Sequence, residues 1–251
     1  MQDRIATCFE IATEAAEVAR RVGNAIVETK APGNYVTAGD VASQAFIKKE
    51  IRRRFRRDAI TSEERKGSLT GSSEYHWLAD PVDGTQNFVK NMGPWAVSLA
   101  VLQGNRIVAG CVVEGTTRDV FTASVGQGAR RNGKPIRVST TPAPRSSLAA
   151  FDCPYFRKAR MTTTYAAFGE LLRVSASVRC YGSCAVALCM IAAGELDVYA
   201  VEHGKSWDFA AGTLLVHEAG GLVTTWAGRS LNPYRPVQVL ATNGVLHYHN
   251  G

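Results

Sequence analysis

Long hydrophobic runs are missing from this chain. The longest, Val186 to Ala193, falls far short of the roughly 20 residues a membrane helix needs. The N-terminal stretch carries Asp3, Arg4, Glu10 and Glu14 with no apolar core, so no secretory leader is expected. A soluble, cytoplasmic protein with no membrane partner is the expectation. Paired cysteine spacing is missing too. Cys8, Cys111, Cys153, Cys180, Cys184 and Cys189 show no C-x-x-C, which reads as free, mostly buried thiols and argues against a zinc site. His76, His203, His217, His247 and His249 share no ligand spacing. No internal repeat or low-complexity tract is present.

The chain has 251 residues, 45% of them apolar and 20% charged. That supports a full core in one large domain or two intimately packed halves. The formal net charge of +7 would gather phosphorylated substrates or nucleic acid. Apolar periodicity predicts a helix over about 3–29, through Ile5, Phe9, Ala12, Ala16 and Ala19, and a second over about 41–57, through Ile47, Ile51 and Phe55. Lys30 to Asn34 reads as a loop. The second helix ends in Arg52, Arg53, Arg54, Arg56 and Arg57. These complement the helix dipole or form a nucleic-acid patch, although no stacking aromatics interleave with them as single-strand binding needs. Residues 66–74 form a polar loop. Strands are expected over 95–102, 106–114, 119–123 and 136–139, with a hairpin turn at Asn132-Gly133. This is a largely antiparallel sheet.

Thr140 to Pro144 is the candidate boundary, dividing 1–140 from 141–251. The second half alternates: strands over 148–151, 178–181, 197–201, 222–225 and 237–241, helices over 160–173, 185–193 and 207–219. The fold class is α/β: N-terminal helices on a largely antiparallel sheet, then a smaller α/β half, in an αβαβα layered sandwich.

The chemistry centres on Asp80-Pro81-Val82-Asp83-Gly84-Thr85, entered from Trp77-Leu78-Ala79. Buried carboxylates must be paired, and Pro81 is foreign to a sheet interior. The chain is therefore expected to leave the sheet here and present two acids. Crowded carboxylates suit a hard cation such as Mg²⁺, and free N–H groups after Gly84 suit a phosphate. The same string is also good turn chemistry. Thr37-Ala38-Gly39-Asp40 reads as a capping box, Ser183 as an N-cap, and Asp208 as an acid favoured at a helix start.

The strings Val36-Thr37-Ala38-Gly39-Asp40, Ser62-Glu63-Glu64, Asp80 to Thr85 and Trp207-Asp208-Phe209-Ala210-Ala211-Gly212 resemble, in order and spacing, the inositol monophosphatase family of Mg²⁺-dependent, lithium-sensitive phosphatases. Most relatives have glycine where Ser62 stands. The resemblance implies two to three Mg²⁺ ions held by Glu63, Asp80, the Val82 carbonyl, Asp83 and Asp208. Of the Glu63-Glu64 pair the ligand is Glu63, with Glu64 behind it. It implies that Asp40 and Thr85 orient the attacking water, with Glu63 also catalytic, and that Gly84 and Thr85 amides hold phosphate. Gly182, Ser183 and Ala185 would line the substrate pocket beside Asp83 and Asp208. A homodimer is implied as well.

Hydrolysis of a small polyol or sugar phosphate follows, inositol monophosphate first. Inositol-specific relatives place a glutamate seven residues before the Trp-Asp aspartate. Here that position is Val201, with Glu202 next to it. Histidinol phosphate, fructose 1,6-bisphosphate and adenosine 3′,5′-bisphosphate stay open as substrates. The competing class is a non-catalytic nucleic-acid- or partner-binding protein on the same fold. The complete acid set favours the enzyme and no nucleic-acid partner.

Overall fold

The computed structural model describes residues 1–64, 68–152 and 161–246. Lys66 and Gly67 of the expected polar loop, Cys153, His247 and His249 lie outside the described residues. The first half runs α1 (Gln2–Val22), β1 (Ile26–Ala31), β2 (Asn34–Thr37), α2 (Ala38–Arg54), β3 (Ala59–Ser62), β4 (Tyr75–Asp83), α3 (Thr85–Val89), β5 (Ala96–Gln103), β6 (Arg106–Glu114), β7 (Val120–Ser124), β8 (Ala129–Arg131) and β9 (Lys134–Pro135). The second runs β10 (Leu148–Asp152), α4 (Met161–Val174), β11 (Ser177–Arg179), α5 (Cys184–Ala192), β12 (Val198–Gly204), α6 (Ser206–Glu218), β13 (Leu222–Thr224) and β14 (Val237–Thr242).

A seven-stranded sheet keeps sequence order from β3 to β9. It is antiparallel except where β3 runs parallel to β4. A five-stranded sheet has the order β11-β10-β12-β14-β13 and is mixed. Side-chain alternation sorts the layers. Trp77, Ala79, Val97, Leu99 and Val101 pack against α1 and α2 through Cys8, Ile11, Ile47 and Ile51. Leu78, Ala96, Ala100 and Leu102, one position out of phase, pack against α5 and α6 together with Tyr199, Val201 and Val239 of the second sheet. The outer face of that sheet takes Leu171 of α4 and Trp226. The order is α1/α2, sheet, α5/α6, sheet, α4. Strands covered on both faces read as continuous apolar runs, which is why alternation is hard to see in β5. Among the described residues no helix is long and apolar enough to cross a membrane.

Several expectations need correction. The first helix stops at Val22, because Gly23 turns the chain at φ +92°. Asn24 Nδ2 then ties to the Phe88 carbonyl at 2.8 Å, and 26–31 pairs with 34–37 as a hairpin, so the expected loop at 30–34 is mostly strand. Residues 136–139 form no strand. The Asn132-Gly133 turn (φ 50° and 77°) pairs β8 with β9 instead, and Val138 N–H goes to the Ala219 carbonyl at 3.2 Å. The sheet does not end before Asp80: β4 continues through Pro81 to Asp83. Part of the expected polar loop is also ordered, since Leu69 and Ile60 exchange backbone bonds of 2.7 and 2.9 Å.

Candidate active site

The continuation of β4 is what builds the site. Asp80 lies opposite Ser98, and Asp83 opposite Ala96, with a register shift between. Three steps on β4 match two on β5, so one residue is extra: a β-bulge. Without it, acids three apart would face opposite sides of the sheet. With it, both stand across from positions that share one face with Ala100 and Leu102, the face covered by α6. Pro81 is tolerated because it sits in the bulge. Val82 turns its side chain the other way, among Ala19, Phe88 and Trp95.

Other elements converge on this corner. Glu63 follows the end of β3, its N–H bonded to the Ala79 carbonyl at 3.3 Å. Asp40 is in the first turn of α2, where Oδ2 accepts the Thr37 N–H at 2.9 Å and the Thr37 hydroxyl. Thr85 Oγ1 donates to the Val82 carbonyl at 2.9 Å, with Asp40 Oδ1 3.5 Å away. Capping by Asp40 and proximity to Thr85 therefore hold together. Asp208, in the first turn of α6, accepts the Lys205 N–H at 2.8 Å. That turn is held to the sheet by Ser98 Oγ on the Trp207 carbonyl at 3.1 Å. Small residues allow the approach: a side chain at Gly110 would meet the Ala211 carbonyl at 2.9 Å.

The second half closes the corner. The Ser183 hydroxyl donates to Asp83 Oδ2, which also takes the Ala185 N–H at 2.8 Å. Ser183 Oγ caps α5 by accepting the Val186 N–H at 3.3 Å. Gly84, at φ +86°, has no room for a side chain: a Cβ would stand 2.9 Å from the Pro94 carbonyl and 3.2 Å from that of Gly182. Asn87 Nδ2 bridges the Pro94 and Tyr181 carbonyls, both at 2.7 Å.

The electrostatics are those of crowded buried acids. Burial, then repulsion from Glu63, Asp83, Asp208 and Asp40, drives Asp80 well above the usual carboxylate range. Burial and the charges of Asp83 and Glu63 do the same to Asp208. Burial lifts Asp83 to about 6 against the pull of Ser183 and Ala185, and lifts Asp40 to about 6 against the Thr37 donors. Glu63 rises to about 7 because protein walls in its carboxyl, although 31% of its side chain still meets solvent at the mouth. Two cations stand beside these acids: Lys30 on β1, 2.7 Å from Glu64 and 3.9 Å from Glu63, and Lys205, whose charge pulls against the rise at Asp208.

This donor set fits a hard divalent cation: carboxylate and carbonyl oxygens only, with five acids against Lys30 and Lys205. Among the described residues no three of these acids are drawn tightly enough together to clasp an ion directly. Asp80, Asp83 and Asp208 each spend one oxygen on protein donors: Val82 N–H at 3.0 Å, the Ser183–Ala185 pair and Lys205 N–H.

The structure thus brings Asp40, Glu63, Asp80, Val82, Asp83, Gly84, Thr85, Gly182, Ser183, Ala185 and Asp208 to one corner. Glu202 is buried, in the irregular register between Val201 and Gly204 of β12. Sequence reasoning missed Asp152. Its Oδ1 accepts the Tyr181 and Gly182 N–H groups at 3.0 and 2.8 Å, and its Oδ2 the Tyr199 hydroxyl at 3.1 Å. It fixes the loop that closes on Gly84. The available signal was an acid directly after an apolar run, as Asp80 follows Trp77-Leu78-Ala79.

The chain matches the profile of the inositol monophosphatase family over residues 1–250. It is 36% identical over 226 residues to a protein named Nus factor SuhB from Escherichia coli, covering 85% of this chain and 84% of that one. It is 38% identical over 227 residues to the chloroplastic phosphatase IMPL1 of Arabidopsis thaliana, covering 87% of this chain and 60% of that one. An inositol monophosphatase structure from Anabaena (Nostoc) sp. PCC 7120 superposes with a TM-score of 0.86 at 31% identity, covering 97% of this chain and 92% of that one. The chain belongs to the inositol monophosphatase family.

Proposed function

We propose that this protein is a Mg²⁺-dependent phosphomonoesterase acting on a small polyol or sugar phosphate, with inositol monophosphate the first candidate. The observation that carries the reading is the bulge in β4, which puts Asp80 and Asp83 on one face beside Glu63 and Asp208. Glu63, Asp80, the Val82 carbonyl, Asp83 and Asp208 would hold two to three Mg²⁺ ions. When bound, the metal supplies the positive charge that draws in the phosphate and makes a nearby water more acidic.

The chain's own groups do the rest. Thr85 and Asp40 orient the attacking water from the Val82 side, where the Thr85 hydroxyl already lies. The first N–H groups of a helix have no partner inside it, so those at Gly84 and Thr85 are free to take phosphate oxygens. Gly182, Ser183 and Ala185 shape the substrate side while Ser183 steadies Asp83. Glu202 is the candidate contact to a substrate hydroxyl. Lys30, bound to Glu64, moderates the negative field at the mouth. Lithium inhibition, a homodimer and a cytoplasmic location belong to the same reading.

The name of the Escherichia coli relative favours a second reading: a Nus-factor role in which the fold contacts nucleic acid or protein partners. Phosphate release from a panel of phosphomonoesters, with and without Mg²⁺, separates the two. Metal-dependent release supports the enzyme and ranks its substrates. Salt-sensitive nucleic-acid binding with no release on any ester supports the second reading.

A further inference from the structure

The arginine run at the end of α2 is the one sequence feature the active site leaves unused, and the structure divides it. Arg53 is paired with Glu50 at 2.6 Å. Arg54 is paired with Glu10 and Glu50 at 2.5 and 3.4 Å. Arg52 is spent on backbone carbonyls, those of Arg56, Asp58 and Thr70 at 2.5, 3.3 and 2.8 Å. These three have structural work.

Arg56 and Arg57 do not. Both are exposed, and among the described residues neither has a carboxylate partner. Together with Arg52, Thr70, Gly71 and Ser72 they line a hollow of about 650 Å³. No acid lines it. The nearest carboxylate in sequence, Asp58, is buried and saturated by Arg4, Ser73 and Trp77. Three arginines, a threonine and a serine therefore line one hollow, and among the described residues no carboxylate is paired with Arg56 or Arg57. Among the described residues that line it, none is aromatic or a large apolar side chain that could hold a ring. Such a lining recognises oxyanion charge, and arginine forks suit phosphate oxygens in pairs.

The hollow is separate from the acid corner. Asp40 lies in the first turn of α2 and Arg52 in the last, and a helix of 17 residues spans about 25 Å at 1.5 Å per residue.

We propose that this hollow is a second anion site, taking a small polyanion with two linked phosphate groups, one on each uncommitted guanidinium. Arg52, Thr70 and Ser72 line the same hollow. The occupant holds the far end of the helix whose near end carries Asp40, so a phosphorylated effector has a place to bind without entering the catalytic corner.

The probe is inorganic pyrophosphate, titrated calorimetrically into the full-length protein with Mg²⁺ in excess. Wild type is expected to show two classes of site. The variant Arg56→Gln/Arg57→Gln is expected to lose one class, its affinity falling at least about tenfold because charged hydrogen bonds are removed. It should keep wild-type turnover, which also shows that it is folded. Arg53→Gln, an exposed arginine already paired, should change neither. The lost class should weaken as salt rises. Equal pyrophosphate binding by the double variant and wild type would overturn the proposal, as would equal loss in Arg53→Gln. Binding of a long RNA strand with no response to pyrophosphate would overturn it as well.

Discussion

Asp83→Asn is the sharpest test of the acid corner, because it should remove function and add stability in the same molecule. Asp83 ionises at about 6 in the folded chain, against about 3.9 for a free aspartate. A gap of about two pH units corresponds to about 3 kcal/mol held against the fold once the group is charged. The sign follows from proton uptake. The folded state holds this proton more tightly, so stability is highest below about pH 4 and falls as pH rises through about 6. Asparagine is never charged and escapes that cost. Its oxygen still accepts from Ser183 and Ala185, though a neutral acceptor gives up about 1 kcal/mol. The metal-free variant should therefore be more stable than wild type by about 1–2 kcal/mol at pH 7, a rise of roughly 3–6 °C in Tm for a chain of this size. At pH 4 the gain should vanish. Thermal unfolding in chelator at both pH values measures this. Mg²⁺ should raise the Tm of wild type and do much less for the variant, whose phosphate release should be lost. An active Asp83→Asn protein, or one clearly less stable than wild type in chelator at pH 7, would refute the reasoning.

Thr85→Val keeps shape but removes the hydroxyl on the Val82 carbonyl. Turnover should drop by roughly a hundredfold or more with circular dichroism unchanged, and retained turnover would remove Thr85 from the chemistry. Gly212→Ala drives a methyl to 2.5 Å from Leu188 Cβ, prising α6 from α5. It should cost about 1–3 kcal/mol in a denaturant titration. Arg4→Ala strips the buried Asp58 of its ion pair. Burial would raise Asp58, but Arg4, Ser73 and Trp77 outweigh it and hold it below its usual value. The loss should be roughly 2–4 kcal/mol at pH 7, shrinking as pH falls below about 4 because the stabilisation of a depressed acid exists only above its unfolded pKa. A pH-independent difference would show that Arg4 acts through its contact with the Tyr75 ring rather than its charge.

The corner was legible where residue type alone carried the message. Asp80 and Asp83 could be named because two acids after an apolar run need an explanation, whereas Glu63 and Asp208 were named through the resemblance of their strings to the inositol monophosphatase family. What joins them was not legible. The bulge in β4 depends on the register against β5, and nothing in Pro81-Val82 states how many residues the partner strand spends over the same stretch. Pro81 even pointed the wrong way, toward an early exit from the sheet. Asp152 escaped notice because its role is to hold backbone N–H groups of a loop some thirty residues on, a relation local pattern does not encode. Dual roles were only half visible: Thr37 and Ser183 read as caps, and each also touches an acid of the corner. At the helix ends, Gly23 carried the stop signal, but the run of apolar and charged residues through Thr29 masked it until the hairpin partner at 34–37 was seen.

The clasp on Asp83 comes from residues 183 and 185, a hundred positions downstream. A chain growing on the ribosome therefore makes Glu63, Asp80 and Asp83 early and the support of Asp83 late. Until roughly the last quarter of synthesis, Asp83 has neither of its donors and Gly84 has no loop to lean on, so the nascent first half must carry an unfinished mouth. A chain halted near residue 182 would be expected to have most of the ligands and no catalyst.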